Sequence, residues 1–173
     1  MDNDGDDMKI VQVIGFKNSG KTTFSVELIK TFVNKGFQTA SLKHHGHGGL
    51  PLGIENTDNF KHFQAGATLS GVQGENVLQF IINSEWDIYK MIQIYRLLNT
   101  EVLVLEGYKG LDYQKVVLIK DMEDLHLLSE KNIIAIISDI QLDNSLISGI
   151  PIFNRSEKSA CCELIYQSLF EVN

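Results

Sequence analysis

The run Gly15-Phe16-Lys17-Asn18-Ser19-Gly20-Lys21-Thr22-Thr23 constrains this chain more than any other feature. It fits the pattern of a glycine, four residues, then Gly-Lys-Ser/Thr that cradles phosphates. Its flanks fit as well. Lys9 to Ile14 is a short, mostly apolar strand-forming run, and Phe24 onward reads as a helix. A glycine-rich turn at a helix start aims several backbone N–H groups into one cavity, on the positive end of the helix dipole. In that arrangement Lys21 reaches the β and γ phosphates and the Thr22 hydroxyl holds Mg²⁺. Gly15, Asn18, Ser19, Gly20, Lys21, Thr22 and Thr23 are therefore the expected nucleotide cradle, and the chain is expected to bind a nucleoside triphosphate.

At 173 residues the chain is expected to form one domain, or one with a small appendage, large enough for a proper core. A hydrophobic content of 43 % with 21 % charged residues matches a water-soluble globular protein. No apolar stretch approaches a membrane span, and the N-terminus lacks a basic-then-apolar leader pattern. The two cysteines, adjacent at Cys161 and Cys162, make no disulfide framework, so a cytoplasmic location is expected. Vicinal cysteines suit either a metal or the apolar face of a helix. Asp2, Asp4, Asp6 and Asp7 supply four of the seven net negative charges, and residues 1–7 are expected to be a disordered acidic tail before the domain over 8–173. No Lys/Arg stripe is present, which argues against nucleic-acid binding.

Strand and helix patterns alternate, which predicts an α/β fold with a mostly parallel sheet flanked by helices. Residues 22–35 place Phe24, Leu28, Ile29, Phe32 and Val33 on one helix face, with Gly36 as the stop. Gln38 to Lys43 reads as the second strand and His44 to Gly53 as a loop. Asn56 or Thr57 caps a short helix ending near Ala65-Gly66-Ala67. Residues 67–73 and 76–82 read as two strands joined at Gly74-Glu75, an inserted β-hairpin. Ser84 to Asp87 resembles a capping box before Ile88, Met91, Ile92, Tyr95 and Leu98. Three more apolar strands lie at Val102–Leu105, Val116–Ile119 and Ile133–Ile137, then a short Ile152-Phe153 piece. A last helix over about 156–171 buries Cys161, Leu164, Ile165 and Leu169.

A triphosphate site needs a second acid at the end of a nearby strand, and Glu106 follows Val102–Leu105. A charge there is tolerable at the carboxyl edge of the sheet, where ligands bind in open α/β folds. Glu106 is also open to reading as an ordinary strand-terminal residue. Gly107 permits close backbone approach, and Lys109 is placed to meet phosphate or a second ligand. Lys43-His44-His45-Gly46-His47 leaves another strand end. It suits either a polar loop over the crevice, with Lys43 as an anion contact, or a zinc or nickel site. Asp58 is either a helix cap or a water-mediated metal contact. Ser138 and Asp139 end a further strand, and Asp139 suits the N1–H and amine of guanine, although Asn-Lys-x-Asp is absent.

Taken together, Gly15–Thr23, Lys43-His44, Asp58 with Ala65-Gly66-Ala67, Leu105-Glu106-Gly107-Tyr108-Lys109 and Ile136-Ile137-Ser138-Asp139 resemble the molybdopterin-guanine dinucleotide biosynthesis protein B family. The match spans roughly residues 8 to 153. The resemblance implies a P-loop NTPase fold, GTP and Mg²⁺ as cofactors, weak GTPase activity and a homodimer. It further implies an accessory role in attaching GMP to molybdopterin, alongside a partner nucleotidyltransferase. Carried over, it makes Lys21 and Thr22 the GTP-Mg contacts, gives Glu106 the metal-side acid role and lines the pocket with Lys43, His44 and Asp58. The histidine loop departs from the family in having Gly46 between His45 and His47, and nothing past Pro151 matches a motif.

Two other classes fit parts of the pattern. One is a metallochaperone GTPase delivering nickel or zinc through His44–His47; the other is a small-molecule kinase. No segment resembles an arginine-bearing lid. Arg96 and Arg155 lie in helix and loop contexts that look unrelated to the phosphate loop, in keeping with slow hydrolysis.

Overall fold

Alternating apolar strands are joined by helices into a six-stranded sheet, ordered β2-β5-β1-β6-β7-β8, in which every pairing is parallel. The computed structural model describes residues 8–46, 53, 55–143, 147 and 149–170. The expected acidic tail over 1–7 and His47 lie outside them. The strands are β1 (Lys9–Gly15), β2 (Thr39–Lys43), β5 (Val102–Glu106), β6 (Gln114–Ile119), β7 (Ile133–Ser138) and β8 (Ile152–Phe153). Parallel sheets need both faces covered, so their central strands read as unbroken apolar runs. Val102–Glu106 is buried throughout, as is Lys115–Ile119.

Strand pleating divides the core in two. On one face Val11, Val13, Val104, Val116, Leu118 and Ile137 meet Phe24, Leu28 and Phe32 of α1 (Lys21–Asn34) and Cys161, Cys162 and Ile165 of α4 (Lys158–Phe170). On the other, Ile14, Val117, Ile119 and Ile136 pack with Leu127 of a 3₁₀ helix, Met122–Ser129. The expected apolar face of α1 holds except at Val33, which is exposed. Gly36, at φ 92°, ends α1, and Phe37 N–H reaches back to Phe32 O at 3.1 Å.

The described residues divide into two compact units: those within Met1–His44 and Ile94–Asn173, and those within His45–Gln93. The first holds the sheet. The second holds α2 (Asp58–Gln64) and the antiparallel hairpin of β3 (Leu69–Gln73) and β4 (Leu78–Ile82), with the start of α3 (Ile88–Leu97). Thr57 caps α2 by accepting from Phe60 N at 3.2 Å. Phe60 and Ile81 form its small core with Phe63. The cap of α3 is Asp87, whose Oδ1 accepts from Lys90 N at 2.8 Å. This corrects the capping box expected from Ser84, whose hydroxyl meets Glu85 O instead. The 3₁₀ helix Met122–Ser129 was not foreseen either, because its capping box is an Asp121/Asp124 pair within a mixed acidic and apolar run. No helix among the described residues is long and apolar enough to cross a membrane.

Candidate functional site

Among the described residues, several helices cap their own first turn, and α1 does not. Asp121 and Asn154 complete capping boxes and Thr57 caps α2. At α1 the preceding residue is Gly20, with no side-chain cap and no acidic residue in the first turn. Its leading N–H groups keep their positive end for a ligand. Left-handed turns at Asn18 (φ 61°) and Gly20 (φ 87°) curl the loop between β1 and α1 around that end, the geometry of an anion-binding nest. Gly15 is required by space, since a Cβ there would stand 2.5 Å from Ser19 Oγ and 3.0 Å from Leu118 O. Ser19 is fully buried, and its hydroxyl finds no hydrogen-bond partner among the described residues. Lys21 folds over the loop and donates to Phe16 O at 2.5 Å. Burial lowers its pKa below the ordinary lysine value, with Glu106 opposing the shift and Lys109 and Lys43 adding to it.

Three residues from three elements meet beside this loop. Thr22 Oγ1 donates to Glu106 Oε1 at 2.8 Å. Lys43 Nζ stands 3.0 Å from Thr22 Oγ1 and 2.9 Å from Glu106 Oε1. Strand register produces this meeting, because β5 lies between β1 and β2 and pairs Glu106 with both Val13 and Lys43. Glu106 is only 7 % exposed, and an acid that deep requires partners. A hydroxyl and a carboxylate oxygen are hard donors of the kind magnesium prefers. That these two oxygens already share one ammonium group shows that the spot favours a cation. The donor set therefore fits Mg²⁺ at Thr22 and Glu106, with Lys43 adjacent.

The chain after Glu106 is held in an uncommon shape. Gly107 and Tyr108 both have positive φ, 91° and 55°, and for tyrosine that costs energy. Gln12, buried in β1, pins the turn by donating from Nε2 to Gly107 O at 3.2 Å and to Tyr108 O at 2.8 Å. The Tyr108 ring lies 5.0 Å from the His44 ring. A Cβ on Gly107 would come within 3.1 Å of His44 Cβ. Lys109 Nζ sits 3.4 Å above the Phe16 ring, whose far neighbour is the His126 ring at 5.0 Å. Burial lowers the Lys109 pKa, against the pull of Asp124 and Glu130. Neither Gln12 nor Phe16 was singled out from sequence. A polar residue inside an otherwise apolar strand was the available signal for Gln12.

On the opposite side of β1, Ser138 is buried and spends its hydroxyl on its own turn, donating to Ile140 O at 2.7 Å and accepting from Ile140 N at 3.2 Å. Asp139 is ion-paired through Oδ1 with Arg155 Nε. The Arg155 guanidinium lies against Gly20, and a Cβ on that glycine would have to displace its Nη1 end. This corrects the expectation that Arg155 is unrelated to the phosphate loop. The short β8 returns the chain to the same sheet edge, and the Asn154/Glu157 capping box turns it sharply there. Thr23 is exposed on the first turn of α1. Asp58 opens α2 within the His45–Gln93 unit and pairs with Lys61 at 2.8 Å. His45 belongs to that same unit. Among the described residues, no group of three or more His, Cys, Asp or Glu side chains stands together as a metal centre.

The family model of molybdopterin guanine dinucleotide synthesis protein B matches residues 10–139. The chain belongs to that family. A probable molybdopterin-guanine dinucleotide biosynthesis adapter protein of Bacillus subtilis (strain 168) is 40 % identical over 152 residues, covering 87 % of this chain and 88 % of that protein. The crystal structure of Bacillus subtilis MobB superposes with a TM-score of 0.82 at 37 % identity, covering 95 % of this chain and all of that one. A MobB homologue from Bacillus stearothermophilus gives 0.76 at 26 % identity, covering 94 % and 98 %. The fold is thus the P-loop type of the MobB structures, and the chain is of the adapter class of molybdopterin-guanine dinucleotide biosynthesis. The matched span contains the phosphate loop, Lys43-His44, Glu106–Lys109 and Ser138-Asp139; Arg155 lies beyond it.

Proposed function

We propose that the chain binds GTP with Mg²⁺ in the cradle of Gly15–Thr23 and serves as a nucleotide-dependent accessory protein in the guanylation of molybdopterin. The observation that carries this reading is the Thr22–Glu106 hydrogen bond of 2.8 Å at the mouth of the uncapped helix. A hydroxyl beside a buried acid, both hard oxygen donors, supports a metal of a bound triphosphate there. In this reading the amides of Asn18 to Thr23 and the Lys21 ammonium hold the phosphates, and Lys43, His44 and Lys109 line the γ end. Magnesium, when bound, supplies charge neutralisation between the β and γ phosphates. Asp139 faces the base, and Ser138 shapes the turn that presents it.

Hydrolysis in this reading is slow. Positioning and charge neutralisation are its main catalytic apparatus. The chemistry of guanylation belongs to a partner nucleotidyltransferase, with molybdopterin or its guanylated form as the shared ligand. The chain is a homodimer in this reading, joined through the β3–β4 hairpin. Leu69, Leu78, Phe80 and Ile82 of that hairpin are exposed on one face, a pattern typical of a protein contact. Titration calorimetry with GTP and ATP, using Lys21→Ala as control, tests the assignment. Micromolar GTP binding that is tighter than ATP binding is expected; equal affinity for the two overturns the guanine assignment.

A further inference from the structure

The Asp139–Arg155 pair lies across β1 from the Thr22–Glu106–Lys43 cluster, and its guanidinium rests against Gly20 of the phosphate loop. Thr22, Glu106 and Lys43 gather on the β5–β2 side of β1, so the metal-bearing end of a triphosphate faces that way. The nucleoside end leaves on the other side, where Asp139 follows β7 and Arg155 follows β8. From this geometry, and resting on the GTP reading above, we infer that Arg155 is a specificity-determining positioning residue for the guanine base.

Arg155 Nε donates to one oxygen of Asp139, Oδ1, and that bond does not engage the second oxygen, Oδ2. Both side chains are about one-third exposed, at 30 % and 33 %, so they remain accessible to a ligand. A carboxylate at a strand end rotates; the Arg155 Nε–H bond to Oδ1, from a planar guanidinium, limits that rotation. Stability alone does not explain the arginine, because a cation beside the start of α1 opposes the helix dipole. Guanine gives the arrangement a purpose. Its N1–H and amine are donors suited to Oδ2, and its O6 is an acceptor suited to an N–H of Arg155. Adenine presents an acceptor at N1 and a donor at N6, reversed against both groups. The Arg155 guanidinium rests where a side chain on Gly20 would begin.

The test is calorimetry on the full chain with GTP, ATP and inorganic tripolyphosphate, comparing wild type with Arg155→Ala and Arg155→Lys. Arg155→Ala should weaken GTP by about tenfold or more, bring the GTP:ATP ratio near one, and leave tripolyphosphate within twofold. Arg155→Lys keeps the charge without the planar fork and should also lose the ratio, which keeps the test sound if the alanine variant folds poorly. A preserved GTP:ATP ratio overturns the inference. So does a parallel loss of tripolyphosphate and GTP, which would make Arg155 a phosphate contact or a loop support. Wild-type protein that binds neither GTP nor tripolyphosphate sinks the GTP reading itself, a separate outcome.

Discussion

Lys21 shows how a single residue couples charge to the loop. Burial lowers its pKa below the ordinary 10.5, so between the lowered value and 10.5 the unfolded chain holds more protons than the folded one. Its contribution to stability therefore rises with pH across that window. A polyphosphate favours the charged lysine, so binding takes up a proton at alkaline pH and affinity falls as pH rises. Calorimetry in two buffers of different ionisation enthalpy should register that uptake, and Lys21→Ala should diminish it. The same substitution should weaken GTP by roughly 2–3 kcal/mol through loss of a charge-assisted hydrogen bond. In the proposed GTP–Mg²⁺ reading, Glu106 serves the metal beside the same phosphates. Glu106→Gln should reduce the affinity for magnesium in the nucleotide complex roughly 10–100-fold, while binding measured in excess chelator changes little. An equal loss in both conditions would instead mark Glu106 as a support of the loop.

At the level of elements, the α1–α4 layer carries the phosphate loop, because α1 begins where the loop ends. Phe32 lies fully buried in that layer, with Phe37 at 6.3 Å and Phe170 at 6.2 Å. Phe32→Ala should cost about 3–5 kcal/mol of stability, read from chemical denaturation midpoints. Nucleotide affinity of the fraction that remains folded should be close to wild type. Cys161 and Cys162 sit in the same layer, and burial pushes both thiols up to about 12. Thiolate is the reactive form, so a thiol reagent at mildly alkaline pH should label neither cysteine in the native protein and both after unfolding. Prompt labelling of the native chain would show that α4 opens readily from the sheet. The apolar-filler reading of these cysteines agrees with their burial and with the packing of Cys161, Cys162 and Ile165 on one face.

The whole molecule poses the question of assembly. In the β3–β4 hairpin Leu69 stands opposite Ile82 and Gly71 opposite Phe80, so the exposed Leu69, Leu78, Phe80 and Ile82 share one face. Light scattering after size exclusion should give the mass of a dimer. Phe80→Glu should shift it to a monomer, because a charge buried in an apolar interface costs several kcal/mol. A monomeric wild-type chain that stays monomeric with GTP refutes the dimer.

Much of this protein is legible in its sequence, for a physical reason in each case. The phosphate loop is local: Gly15, Gly20, Lys21 and Thr22 are needed at fixed spacing because backbone geometry and helix start coincide within nine residues. The strands of the parallel sheet announced themselves because burial on both faces demands unbroken apolar runs such as Val102–Leu105. Gly36 ended its helix as a left-handed residue should. What the tertiary structure decided is long-range. Gln12 pins Gly107 and Tyr108 from 95 and 96 positions away, Lys43 reaches Thr22 only because β5 separates β2 from β1 by one strand, and Arg155 reaches Gly20 only because β8 returns the chain to the loop's edge. Periodicity reports which face of an element is apolar, and capping patterns report where it starts. Neither reports which strand ends will lie side by side, and it is the ordering of the sheet that brought these charges together.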